Sequence, residues 1–150
     1  MQFPYRKQET DFYCGPAIVA MILAAAGTEV TQSELAAAMG TTEHGTPIEE
    51  IARFLSSYGF EVTRKNDALW EDIIATFNAG STVIIGYIEP DEEKAHYSLV
   101  SSIGEAGIEF NDPWYGENQI LSKEEFLKRW KDDEDGAYGE RMMMTVSRPE

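Results

Sequence analysis

The sequence predicts an α+β fold in which an N-terminal helical part, with a cysteine at a helix N-terminus, packs on an antiparallel β-sheet. Three observations carry this expectation. Gly15-Pro16 and the apolar run Ile18 to Ala26 stand directly behind the chain's one cysteine, Cys14, and a proline just inside an almost all-round apolar segment marks the start of a buried helix. Two further segments up to Gly59 are bounded by capping residues and glycines. From Thr82 onward, short β-type runs are separated by turn residues, and Gly104-Glu105-Ala106-Gly107 joins two of them as a hairpin. At 150 residues, a single domain spanning 1–150 is expected, burying roughly two-thirds of its unfolded surface without disulfide or metal.

Phe3-Pro4-Tyr5 is an extended lead-in, and Gln8 to Tyr13 lead into the first helix, which runs to about Ala26 and stops at Gly27. Pro16 falls at the first helical position, so Cys14 sits at or beside the N-cap. Thr31-Gln32-Ser33-Glu34 is a capping box for a second helix, Gln32 to Met39, closed by Gly40 and packed on the first. Thr46-Pro47-Ile48-Glu49 is a second capping box, after which Ile48, Ile51, Ala52 and Leu55 share one helical face up to Tyr58-Gly59. Phe60 to Arg64 is a strand, and Asp67 caps a helix from about Leu69 to Asn78 that Gly80 stops. Thr82 to Ile88 is apolar throughout, as in a central strand buried on both faces. The charged run Glu89 to Lys94 is a solvated turn that delivers the chain to His96 at the rim of the sheet. Gln119-Ile120-Leu121 adds a strand, and Ser122 caps a helix of about Lys123 to Lys131 with Phe126, Leu127 and Trp130 inward. Asp132 to Asp135 is an acidic turn. Arg141 to Arg148 alternates as a terminal strand, with Met142, Met144 and Val146 set against Met143 and Thr145.

Asp and Glu number 27 against 12 Lys and Arg, a net charge of −15. Phosphate backbones and anionic lipid surfaces are repelled by such a chain, so nucleic acid is not an expected partner, and a peptide or a small neutral or cationic amide is the expected substrate. The sequence has no run of about eighteen apolar residues and no secretion-type N-terminus, which gives the expectation of a soluble cytoplasmic protein. In that reducing compartment a lone cysteine stays a thiol. One cysteine and two histidines, with His44 in a polar loop, compose no zinc pattern, so neither a metal nor another cofactor is expected.

A sulfur at a helix N-terminus faces the positive end of the helix dipole, which stabilises a thiolate, and a base beside it lowers the thiol pKa further. Without such a base a lone cysteine is an ordinary core residue. His96 opens one arm of the hairpin and Asp112 closes the other. Imidazole and carboxylate come side by side when the register sets Ser98 opposite Asp112, and fall on opposite faces when it slips by one. In the first case His96 shares a face with Ser98, Val100 and Ser102, and Asp112 with Phe110 and Ile108. Asn111 is the alternative orienter, and an ordinary turn-forming role is the alternative for Asp112-Pro113. Gln8, six residues before Cys14, is placed to aim a carboxamide N–H at the spot faced by the Cys14 backbone N–H, giving two donors for an oxyanion. Trp114, Tyr115 and Tyr97 flank this site, either as apolar walls or as ordinary core.

Gln8 with Cys14-Gly15-Pro16-Ala17, His96-Tyr97 with Leu99-Val100, and Asn111-Asp112-Pro113-Trp114, in this order from Phe3 to about Trp114, resemble the bacteriocin-processing, double-glycine leader peptidases and their stand-alone relatives. The resemblance implies a papain-like cysteine peptidase fold, with Cys14 as nucleophile, His96 as base, Asp112 as orienter and Gln8 as oxyanion donor. Many transporter-attached members of that family carry an acidic residue just before the cysteine, whereas Tyr13 stands there in this chain. That departure bears on leader specificity more than on chemistry. The expected function is a cysteine peptidase that cleaves a peptide or amide bond through an acyl-enzyme. Two rivals are a non-catalytic peptide-binding module of the same fold and an acyl transferase in which an amine replaces water. Export-coupled leader removal requires a partner protein or transporter.

Overall fold

The computed structural model describes residues 3–132, 136 and 139–148. Helix α1 (Cys14–Ala25) begins two residues earlier than Pro16 suggests, so the proline occupies its third position. The first helical hydrogen bond is donated by Ala17 N to Tyr13 O at 3.0 Å. Pro16 therefore lies among the leading residues whose N–H has no acceptor within the helix, and its missing donor costs nothing there. Every residue of α1 from Cys14 to Leu23 is buried.

Helix α2 (Gln32–Met39) starts as expected, with the Thr31 hydroxyl accepting from Glu34 N at 3.1 Å, and it ends at Gly40 with φ 69. The capping box expected at Thr46 does not form. Helix α3 (Ile48–Ser57) has Pro47 as N-cap with no side-chain cap, because the Thr46 hydroxyl is bonded to that of Thr41 at 2.7 Å. Strand β1 (Glu61–Lys65) follows, then helix α4 (Trp70–Asn78). Asp67 does not cap α4: it sits at φ 55, and the Asp72 carboxylate holds Leu69 N at 2.7 Å instead.

The remaining elements are β2 (Thr82–Ile88), β3 (Ala95–Ile103), β4 (Gly107–Asp112), β5 (Gly116–Ser122), α5 (Lys123–Arg129) and β6 (Met143–Ser147). Ser122 caps α5 through Glu125 N at 3.1 Å. Phe126 and Trp130 point inward, but Leu127 is 41% exposed, since one residue further along a helix is a rotation of about 100° away from the buried face. The acidic turn expected over Asp132 to Asp135 lies, beyond Asp132, outside the described residues.

The strands form one sheet in the order β1-β6-β2-β3-β4-β5, with every pairing antiparallel. β6 is the expected late strand, but it is inserted between β1 and β2 rather than added at an edge. Helices α1, α2 and α3 share one hydrophobic core with Ile84, Leu99, Met144 and Val146. Helices α4 and α5 share another with Val83, Ile85, Phe110 and Met143. Helices therefore cover both faces of the sheet, which is why β2 is apolar on both sides.

Candidate active site

Cys14 is the first residue of α1 and is 7% exposed. Tyr13, at the N-cap, contributes no side-chain hydrogen bond, so no capping group competes with the sulfur for the helix-end donors and dipole. Gly15 makes this close placement sterically feasible: a Cβ there would meet Thr46 Oγ1 at 2.6 Å and Thr46 Cβ at 2.9 Å. Thr46 is fixed in turn by Tyr97, which donates to Thr46 O at 2.9 Å. Tyr97 is thus a core residue that props the loop beside α1 rather than a wall of the site.

His96 is the second residue of β3, at the sheet's rim, and it pairs across the ladder with Tyr87 of β2. The β3–β4 register sets Leu99 opposite Asn111 and Val100 opposite Phe110, which is the register that brings Ser98 opposite Asp112. His96 and Asp112 consequently share a face, and His96 Nε2 lies 2.8 Å from Asp112 Oδ1. The Cys14 thiol acts on the same imidazole and raises its pKa, which sets the sulfur on the His96 side of the site. Asn111, the alternative orienter, is turned to the other face with Leu99. Beyond Val100 the register shifts at a bulge, so Ile103 and not Ser102 rejoins the Val100 side and packs against that core.

Burial on its own would push the His96 pKa down. The hydrogen bond to Asp112, then the contact with the Cys14 sulfur, overturn that effect and lift it to about 10. Asp112 is fully buried, which works against its charge, yet the bond to His96 leads the effects that hold its pKa below the usual carboxylate value. Its carboxylate also accepts from Tyr87 OH at 2.7 Å, Trp114 N at 2.9 Å and Tyr115 N at 3.0 Å, and its carbonyl accepts from Tyr5 OH at 2.6 Å. Burial, then the Asp112 charge, push Tyr5 up to about 12.

Gln8 is 6% exposed and is tied to both halves of this arrangement. Its backbone N–H donates to Pro113 O at 2.9 Å, directly after Asp112. Its Nε2 donates at 2.7 Å to Thr10 O, the carbonyl that also accepts from Tyr13 N at 3.3 Å. The carboxamide therefore lies on the turn that leads into Cys14, and its Oε1 is buried without a hydrogen-bond partner. Gln32 clasps the chain on either side of Gln8: its Oε1 accepts from Glu9 N at 3.0 Å and its Nε2 donates to Lys7 O at 2.8 Å.

The structure thus brings Cys14, His96 and Asp112 together and sets Gln8 beside them. Tyr5, Tyr87 and Gln32 escaped the sequence reading. Tyr87 carried a signal, since a tyrosine inside an otherwise apolar buried strand needs a partner for its hydroxyl. Trp114 is 44% exposed, with Lys7 Nζ 5.5 Å from its ring centre. His44 is exposed and 3.7 Å from Glu43. Among the described residues no group of three or more His, Cys, Asp and Glu is placed to hold a metal ion, and no helix is long and apolar enough to cross a membrane.

Relatives at the level of sequence include an uncharacterized protein of Methanothermobacter marburgensis, 29% identical over 117 residues that cover 76% of this chain and 74% of that protein. The Lactococcin-G-processing and transport ATP-binding protein LagD of Lactococcus lactis is 30% identical over 129 residues, 84% of this chain but 17% of LagD. In three dimensions the chain is similar to the peptidase domain of Streptococcus ComA, a bi-functional ABC transporter, with TM-score 0.76 and 19% identity over 99% of this chain and 100% of that one. A double glycine motif protease from an AMS/PCAT transporter, in complex with its leader peptide, gives TM-score 0.74 and 18% identity over 99% and 93% of the two chains. Helices with an antiparallel sheet, arranged as in these domains, make the fold papain-like. A family model, the Peptidase C39 like family, takes in residues 1–138, and the chain belongs to that family.

Proposed function

We propose that the protein is a cysteine peptidase that cleaves a peptide bond through Cys14, His96 and Asp112. The observation that carries this reading is that one buried imidazole is bonded to the Asp112 carboxylate and feels the Cys14 thiol, which raises its pKa. With Nε2 held by Asp112, Nδ1 is the ring nitrogen left to exchange a proton with sulfur. His96 takes the thiol proton, and the thiolate attacks the scissile carbonyl carbon. The negative charge that develops on oxygen is met by the Cys14 backbone N–H and by Gln8, whose Nε2 has a second hydrogen beyond the one given to Thr10. His96 protonates the departing amine, then draws a proton from water as that water hydrolyses the thioester.

LagD by its name processes lactococcin G, and the AMS/PCAT protease was captured with a leader peptide. We take a double-glycine leader peptide as the first substrate to test, with a transporter as partner and the cytoplasm as the setting. Peptide libraries read by product mass spectrometry provide the experiment. Cleavage is expected in the native protein and absent in Cys14→Ala and His96→Ala, with iodoacetamide labelling of Cys14 slowed in His96→Ala. Cleavage that survives Cys14→Ala, or a Cys14 inert to iodoacetamide, refutes the reading, and an amine-capped acyl product in place of the acid assigns acyl transfer.

A further inference from the structure

Glu89 is a buried carboxylate that none of these steps uses. Its sequence context is a run of charges expected to be solvated, yet it is 7% exposed and the turn between β2 and β3 folds around it. Its Oε2 accepts from Asp91 N at 2.8 Å and its Oε1 from Glu92 N at 3.0 Å and Lys94 N at 3.2 Å. Glu89 N donates to Lys94 O at 2.9 Å, closing the same turn. A further donor comes from outside the turn: Tyr115 OH, 2.5 Å from Glu89 Oε2. Burial opposes the charge on Glu89, but the Tyr115 hydroxyl, followed by the N–H groups of Glu92, Lys94 and Asp91, outweighs it and holds the pKa below the usual value.

Tyr115 stands three residues after Asp112. Its backbone N–H donates to Asp112 Oδ1 at 3.0 Å, and its ring meets the His96 ring edge-on, centroids 6.5 Å apart at 80°. One side chain therefore bridges the turn that delivers His96 and the loop that carries Asp112.

We propose that Glu89, acting through the Tyr115 hydroxyl, is a positioning residue of the Cys14, His96 and Asp112 site. It pins the Asp112 loop to the β2–β3 turn, so that carboxylate and imidazole stay aligned while His96 gains and loses its proton. The need arises because the attraction between His96 and Asp112 changes each time the ring changes charge, whereas the bond between Tyr115 and Glu89 does not depend on that charge. The proposal rests on the peptidase reading.

Tyr115→Phe, which removes only the hydroxyl from a half-buried ring, Glu89→Gln and the double variant test it. For a cleaved peptide, kcat is expected to fall about 10- to 100-fold in each single variant with KM within about 2-fold of native, as for groups that orient rather than bind. The double variant is expected to be no worse than the poorer single, because both cut one link. The His96 imidazole resonance is expected to titrate at lower pH in Tyr115→Phe, a change that a merely structural tyrosine would not produce. Native kcat and native His96 titration in folded Tyr115→Phe, or additive losses in the double variant, overturn the proposal while native turnover leaves the peptidase reading intact. If the native protein neither cleaves peptides nor labels at Cys14 in a His96-dependent way, the peptidase reading fails and takes the proposal with it. Tyr115→Phe carries the test alone if Glu89→Gln does not fold.

Discussion

Replacing Asp112 by asparagine removes one charge from the site and keeps its shape. Asparagine Oδ1 retains the acceptor role toward His96, Trp114 N and Tyr115 N, while an amide replaces the oxygen that accepts from Tyr87, whose hydroxyl must turn to accept in its place. What disappears is the negative charge of Asp112, which adds to the hydrogen bond in favouring the His96 proton. An adjacent opposite charge moves a pKa by about 1–3, so His96 is expected to titrate about 1–3 pH units lower in Asp112→Asn, a loss of about 1.4–4 kcal/mol of imidazolium stabilisation. In the native protein His96 is raised from 6.5 to about 10. The stability it contributes is complete below about pH 6.5 and drains away as pH rises toward 10. Asp112 acts with the opposite sign, contributing above the unfolded carboxylate pKa of about 3.9 and losing that contribution as pH falls through its lower folded value. Proton NMR of the imidazole Cε1–H, with His44→Gln to assign the two histidine signals, reads the first effect. Urea unfolding between about pH 5 and 9 reads the His96 contribution to stability, as a flatter pH dependence in the variant. A folded Asp112→Asn protein in which His96 titrates at the native pH would refute the claim that Asp112 holds that proton.

Other substitutions separate the parts of the site. Tyr87→Phe leaves a buried carboxylate oxygen without its 2.7 Å donor, so unfolding stability is expected to drop by about 1–3 kcal/mol, and a native urea midpoint contradicts this. Gln32→Leu releases both clasps around Gln8. Because alkylation of sulfur develops no oxyanion, Cys14 labelling by iodoacetamide should persist while peptide turnover falls about 10-fold or more; parallel losses in both would count against Gln8 as an oxyanion donor. Gly15→Ala drives a methyl into Thr46, at 2.6 Å from its hydroxyl, for an expected loss of about 1–3 kcal/mol. Adding Thr46→Gly should recover part of that loss, and no recovery would place the strain elsewhere.

Local signals were legible where they were self-contained. The apolar run behind Cys14 and the Thr31 and Ser122 caps form as read because each depends on residues within a few positions. The hairpin register was legible as a condition, since a period of two admits only two outcomes; the turn from Gly104 to Gly107 sets Ile103 opposite Ile108, and only the bulge after Val100, which nothing in the sequence announced, shifts the ladder to the register that joins His96 to Asp112. Tertiary partners were not legible. Thr46 reads as a cap until Thr41 and Gly15 are known to press on it. Asp67 reads as a cap until Asp72 takes that place. Glu89 looks solvated because its neighbours are charged, and nothing local announces the tyrosine 26 residues away that donates to it. Leu127 reads as inward only if the apolar face of α5 is drawn one residue too wide.

The insertion of β6 between β1 and β2 sets a schedule for synthesis. Until Met143 to Ser147 have left the ribosome, one hydrogen-bonding edge of β2 is bare and β1 has no neighbour to join, although α1 and the β3–β4 hairpin are already made. A nascent chain stalled ahead of Met143 would hold a nearly assembled thiol centre on an unsealed, apolar edge, the kind of surface that invites a chaperone or the edge of another unfinished chain.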